Sequence, residues 1–420
     1  MRLIHRLSAA TVKTYPPCFI HIGDGRCTGC STCANSCYKT AIEIKLNEEG
    51  FYRPTLLEGR CDHCMLCLKS CPVLVASGLR DVNGKPAGTF QIYAAWSTDQ
   101  EVHYSSSSGG IFSELARFVI DNSGYVCGCE WGDGLRPRHT IIRKWTDVPK
   151  LRGSKYIPSY IGNDLFRNII ALAMTGKTIL FCGTPCQVAG LAQLASPEAR
   201  KNLILVDLIC HGVPSLTSFW LYLDWKFGGK AFLTHFSFRN KEISVQTICA
   251  RTKNGLKYLN TCGQDPWFRA AMVYHLFLQR SCYKCCFGSS LRYGDISLGD
   301  FWGIPAQWHN PRGDSLVIAN TKKGQGILQN LILTKRIHAQ SSDLETASRK
   351  IGRLKGVAYP VPANRNLSFW LLKRGWSFCW FHYLCYYPIS FRKRLAGYLY
   401  RRVIRIVHIL RLNQRQSRYL

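Results

Sequence analysis

Apolar positions along the chain gather in short runs separated by turn-forming clusters, and the spacing within each run predicts its element. Residues 90–96 form a strand candidate, whereas 110–122 place Ile111, Leu115, Phe118 and Val119 at helical spacing. Residues 178–182 and 203–208 are compact apolar runs that end in loops rich in Gly, Pro, Cys and His. Strands alternating with helices predict an α/β sheet whose ligands lie at the strand ends. Nearer the N-terminus, Asn47-Glu48-Glu49-Gly50 followed by Phe51-Tyr52-Arg53-Pro54 predicts a hairpin between two halves of a small module. Residues 77–89, with Asp81-Val82-Asn83-Gly84-Lys85-Pro86, read as a linker. At the far end, a helix over 391–412 puts Phe391, Leu395, Leu399, Val403, Ile406, Ile409 and Leu410 on one face. Lys393, Arg394, Arg401, Arg405, His408 and Arg411 fall opposite, and Arg392, Arg402 and Ile404 break the pattern.

Composition adds a second layer to this outline. The 420 residues are 46% apolar, enough for ordinary cores, which excludes a disordered, collagen-like or small disulfide-stapled chain. They carry 21 Cys. The first 19 residues have no continuous apolar core and no small-residue cleavage site, and no long uncharged apolar stretch occurs. The expectation is a cytoplasmic protein, in which clustered cysteines serve as metal ligands or redox groups.

The cysteines repeat. Cys27, Cys30, Cys33 and Cys37 recur as Cys61, Cys64, Cys67 and Cys71, each displaced by 34 residues. Both sets read C-x2-C-x2-C-x3-C, the spacing that wraps three thiolates around one iron–sulfur cube and sends the fourth to its neighbour. Cys27, Cys30, Cys33 and Cys71 would therefore hold one 4Fe-4S cluster, and Cys61, Cys64, Cys67 and Cys37 the other. Pro72 follows Cys71 as the pattern expects, while Tyr38 stands after Cys37. Structural zinc is the competing reading, but zinc sites use two separated C-x2-C knuckles. The expected module spans residues 18–80.

In the middle of the chain, Ser105-Ser106-Ser107-Ser108-Gly109-Gly110 precedes the predicted helix. Hydroxyls and unencumbered amides at a helix start suit an anion such as a flavin phosphate, although such stretches also serve as plain caps. Arg152-Gly153-Ser154-Lys155-Tyr156, Gly183-Thr184-Pro185-Cys186-Gln187, Cys210-His211-Gly212 and Gly299-Asp300-Phe301-Trp302 follow in order. With the ferredoxin-type cysteines, these segments make roughly residues 20–345 resemble the coenzyme F420 hydrogenase/dehydrogenase beta-subunit family. The resemblance implies a flavin/phosphate part over 90–170 and a catalytic part over 171–345. It further implies FAD, contacted by Ser107, Ser108, Gly109, Gly110 and Lys155. It also suggests a third 4Fe-4S cluster on Cys186, Cys210, Cys282 and Cys285, with Cys182 and Cys286 as substitutes. The alternative is that these are buried free thiols. His211 is a candidate proton donor. The function so implied is an iron–sulfur flavoprotein oxidoreductase, moving electrons between a ferredoxin-like donor and a two-electron substrate. A non-catalytic electron-relay subunit is the alternative.

Charge changes the picture last. Lys and Arg number 55 against 25 Asp and Glu, a formal balance of +30, and 16 of those cations fall in residues 349–420 with no acid among them. Residues 365–389 of that tail are rich in Phe, Trp and Tyr. Aromatics ahead of a basic amphipathic helix suit the anionic inner face of a membrane. An acidic protein partner is the second reading, and nucleic acid is disfavoured because no recognition fold accompanies the charge.

Overall fold

The computed structural model describes residues 22–79, residue 24 excepted, and residues 90–374. The N-terminal hairpin pairs β1 (Ile42–Leu46) with β2 (Tyr52–Leu56) in antiparallel register, Ile44 opposite Pro54. Asn47 closes the turn by accepting the Phe51 amide at 2.9 Å. Two short helices, Thr32–Ser36 and Leu66–Lys69, flank it. The cysteine repeat continues into the backbone. Gly29 and Ser31 have positive φ, and so do their counterparts His63 and Met65. That alternation bends each cysteine loop back on itself. After Cys71 the chain enters the helix Pro72–Leu79, with proline at its first position. The expected linker thus begins later than residue 77, because 77–79 are helical, and residues 80–89 lie outside the described part.

An eight-stranded sheet follows, built from β3 (Gln91–Ser97), β4 (Tyr125–Gly132), β5 (Arg136–Ile142), β6 (Ile179–Gly183), β7 (Leu203–Leu208), β11 (Ile296–Asp300), β12 (Ser315–Ala319) and β13 (Ile337–Ser342). Its order is β13-β3-β12-β11-β7-β6-β4-β5. The centre, β4, β6, β7 and β11, is parallel, and the flanking pairs are antiparallel. The predicted runs at 90–96, 110–122, 178–182 and 203–208 emerge within a residue as β3, the helix Ile111–Asp121, β6 and β7. Gly183 pairs with Asp207, and Leu298 with Leu208. The loops after β6 and β7 therefore leave the sheet side by side.

A second, antiparallel sheet, β8 (Leu233–Asn240), β9 (Thr247–Thr252) and β10 (Lys257–Thr261), packs on an aromatic core that includes Phe219, Phe236, Phe238 and Trp267. The tail begins inside the body. The helix Arg365–Lys373 buries Phe369 and Leu372, Phe369 lies 6.2 Å from the Phe51 ring, and Arg365 donates to Glu49 at 2.8 Å. Residues 375–420, including the predicted helix over 391–412, lie outside the described residues. Among the described residues no helix is long and apolar enough to cross a membrane.

Candidate functional site

Cys71 lies near the first repeat. Its charge, with that of Cys33, bears on both Cys27 and Cys30. Burial pushes these thiols up, Cys27 to about 11 and Cys30 to about 12. Thiolates there need compensation, and Arg53 supplies part of it beside Cys27. The second set, Cys37, Cys61, Cys64 and Cys67, lines one pocket together with Lys39, His63, Met65 and Leu66. The Ala41 amide donates to the Cys37 sulfur at 3.3 Å. Cys64 is exposed, and so is the neighbouring Tyr38, which donates to Asp62. One set is therefore buried and the other opens to solvent. Among the described residues no group of three or more His, Cys, Asp or Glu is gathered as the ligands of one ion would be. A cube requires a wider set, with one thiolate on each of four irons. None of the described cysteines is in a disulfide.

The four cysteines proposed from the resemblance also come together. Cys186 feels the charges of Cys285 and Cys210, and Cys282 those of Cys210 and Cys285. Burial raises the thiols, to about 11 at Cys210 and about 12 at Cys282. Local structure explains the convergence. Thr184, whose amide donates to Gln187 at 2.9 Å, starts the helix Pro185–Leu194 and places Cys186 in its first turn. The loop after β7 pairs with the segment ahead of Cys282: the Ser215 amide donates to the Phe277 carbonyl and that of Gln279 to the Val213 carbonyl, both at 2.9 Å. The Val213 amide then donates to the Cys282 sulfur at 3.4 Å. A Cβ on Gly212, at φ 146°, would stand 3.1 Å from the Leu278 side chain in the same segment. Cys182 faces a different group, Cys129, Lys155 and Asp207, and Cys286 lies by Tyr293.

Cys30 is also among the charges felt by Cys186. Cys27, Cys33 and Cys71 share one core with Cys186 and Cys285, to which Ala34, Ala189 and Phe287 also belong. The contact is close because Gly190 lacks a side chain: a Cβ there would fall 2.0 Å from the Thr32 hydroxyl. Asn35 joins the two parts further, donating to Gly162 at 3.0 Å and accepting from the Phe166 amide at 2.9 Å.

The candidate flavin residues are engaged by the fold. Ser107 accepts from the Ser154 amide at 2.7 Å, Ser108 donates to the Asp314 carbonyl at 2.6 Å, and the Gly109 amide donates to Ser315 at 2.9 Å. A Cβ on Gly109 would sit 2.2 Å from the Ala95 carbonyl, so strand packing alone requires glycine there. Gly110, at φ 88°, caps the helix Ile111–Asp121. Lys155 donates to the carbonyls of Cys129 and Arg152 at 2.8 Å, and burial lowers its pKa. The Ser108 hydroxyl, the Gly109 amide and the Lys155 ammonium thus do not fit a flavin phosphate as free donors, whereas Ser107 only accepts, from the amide and hydroxyl of Ser154. His211 is also held on both sides, by His275 at Nε2 and by the Tyr359 hydroxyl at Nδ1, each at 2.9 Å, and burial pushes it down to about 4. Two groups at this site carried no motif: Tyr359 and Arg353, which donates to the Cys282 carbonyl at 2.8 Å.

Residues 176–345 match the family model for the C terminus of the coenzyme F420 hydrogenase/dehydrogenase beta subunit. Residues 26–75 match that of a 4Fe-4S dicluster domain. No curated protein matches the chain. Among solved structures, a chain of the xenon-derivatised F420-reducing NiFe hydrogenase complex from Methanosarcina barkeri is similar at 18% identity and a TM-score of 0.44. That match covers 68% of this chain and 88% of the other, a likeness too loose to locate any residue.

Proposed function

Because the chain joins a 4Fe-4S dicluster domain to the C-terminal domain of the coenzyme F420 hydrogenase/dehydrogenase beta-subunit family, we propose that it is an oxidoreductase that conducts single electrons inward from a ferredoxin-like protein at its surface. The observation that carries this reading is the nearness of Cys30 to Cys186, which supports a path from the dicluster domain to the Cys186 group. Bound 4Fe-4S clusters would supply one-electron storage at potentials set by their surroundings. The chain's own residues do the rest. The exposed edge at Tyr38 and Cys64 leaves the outer set open to a partner. Burial around Cys27 and Cys30 excludes water from the inner set. The loops after β6 and β7 bring Cys186 and Cys210 to the turn that carries Cys282 and Cys285.

The two-electron end of the path is FAD in this reading, as the resemblance implies. Ser108, the Gly109 amide and Lys155 already donate within the fold. That same engagement favours a second reading, a relay subunit that hands its electrons to a separate catalytic partner. Iron and flavin analysis of protein purified without oxygen separates the two. About twelve irons and one FAD per chain support the oxidoreductase, whereas about twelve irons without flavin leave the relay. About eight irons would remove the third cluster from both readings. Cys186→Ser with Cys282→Ser should lower the content by about four irons and leave the dicluster domain loaded.

A further inference from the structure

Three buried arginine side chains each meet a carboxylate. Arg239 pairs with Asp300, Arg292 with Asp207 and Arg365 with Glu49. Arg353, 5% exposed, pairs with no carboxylate among the described residues. Its guanidinium donates to the His211 carbonyl at 3.0 and 3.2 Å and to the Cys282 carbonyl at 2.8 Å. Its plane stacks over Tyr359, 4.0 Å from the ring centroid. Its stem passes Gly288, where a Cβ would stand only 3.3 Å away. The turn Gly352–Lys355 that presents it is anchored by Ile351 and Leu354 in a core shared with β3 and β12.

A buried cation without a counter-charge is costly, and removing its partner from a buried pair is costlier still. The nearest anionic chemistry the site can hold is the thiolate set itself. Arg353 favours the charged forms of both Cys210 and Cys282. A 4Fe-4S cube on four thiolates is an anion, and it becomes more negative when it takes an electron. We propose that Arg353 is the counter-charge of the third cluster, clamping the Cys210 and Cys282 loops together and raising the potential at which that cluster accepts an electron. The inference rests on the four-thiol reading above. The electron comes from the dicluster domain, and no bond is made or broken. The residue lies beyond 345, outside the matched beta-subunit segment.

The test is a redox titration followed by electron paramagnetic resonance, with iron analysis, on full-length protein kept free of oxygen. The signal that Cys282→Ser abolishes identifies the third cluster. In Arg353→Met that signal should persist at a lower potential, its reduced-to-oxidised ratio at fixed potential falling roughly tenfold, about 59 mV for one electron. Arg353→Lys keeps the charge and should stay near the wild-type potential. Loss of the cluster in the Met variant but not in the Lys variant would equally support a charge role. An unchanged potential in Arg353→Met, equal shifts in both variants, or loss of the cluster in both would overturn it. Wild-type protein with about eight irons and no third signal would instead sink the four-thiol reading, and this inference with it.

Discussion

His139 shows how a single ring reports on its surroundings. It lies stacked 5.4 Å from Phe181, its Nε2 bonded at 3.1 Å to the Cys182 carbonyl, while its Nδ1 has no partner among the described residues. Burial lowers its pKa from 6.5 to about 4, and the nearby Lys155 acts in the same direction. Between those values the unfolded chain binds a proton that the folded one does not. Stability therefore falls as pH drops from 6.5 towards 4, by up to about 3 kcal/mol from this residue. Denaturant unfolding across that range should show a shallower acid loss in His139→Gln than in wild type. An identical profile would mean that folding leaves the pKa of the ring unshifted. Nothing in the local sequence marks His139, because its pKa depends on Phe181 and Cys182, some forty residues away. The ferredoxin-type cysteines are the opposite case: the spacing within each set is local, so the dicluster domain could be read directly.

At the scale of elements, the N-terminal hairpin is the joint between the two parts of the protein. Its turn was legible from Asn47 to Gly50 alone, but the surface it meets was not. Gly50, at φ 83°, accepts at its carbonyl oxygen from the Leu216 amide at 3.1 Å. A Cβ there would lie 2.4 Å from the Thr217 amide nitrogen, at the start of the helix Leu216–Phe227. Gly50→Ala should therefore cost about 1–3 kcal/mol, through backbone strain and a displaced joint. A thermal melt no lower than wild type would show that the turn can relax away from that helix. In the main sheet β3, β6, β7 and the helix Ile111–Asp121 were likewise legible, since their apolar runs are local. Their order was not, and it is the order that puts the ends of β6 and β7 together.

For the whole molecule, the basic tail divides at the end of the helix Arg365–Lys373. The part before it is core: Phe369 packs between Phe51 and Phe277, and Arg353 and Arg365 are buried. A chain ended after Arg374 should thus keep its fold and its full iron content, yet no longer sediment with vesicles of anionic lipid. Sedimentation equal to that of the full chain would exclude residues 375–420 as the membrane contact. What the sequence determined by itself is whatever short-range spacing encodes: the cysteine repeat, the hairpin and three strands of the sheet, β3, β6 and β7. Tertiary structure decided how distant segments meet. It brought Cys30 beside Cys186, gathered Cys210 and Cys282 across the loop after β7, and set Arg353 over them. It also showed the Ser107–Gly110 loop and Lys155 to be bonded within the fold. The reason is physical: bonding and periodicity act between near neighbours, whereas burial and charge depend on every segment that packs into the same space.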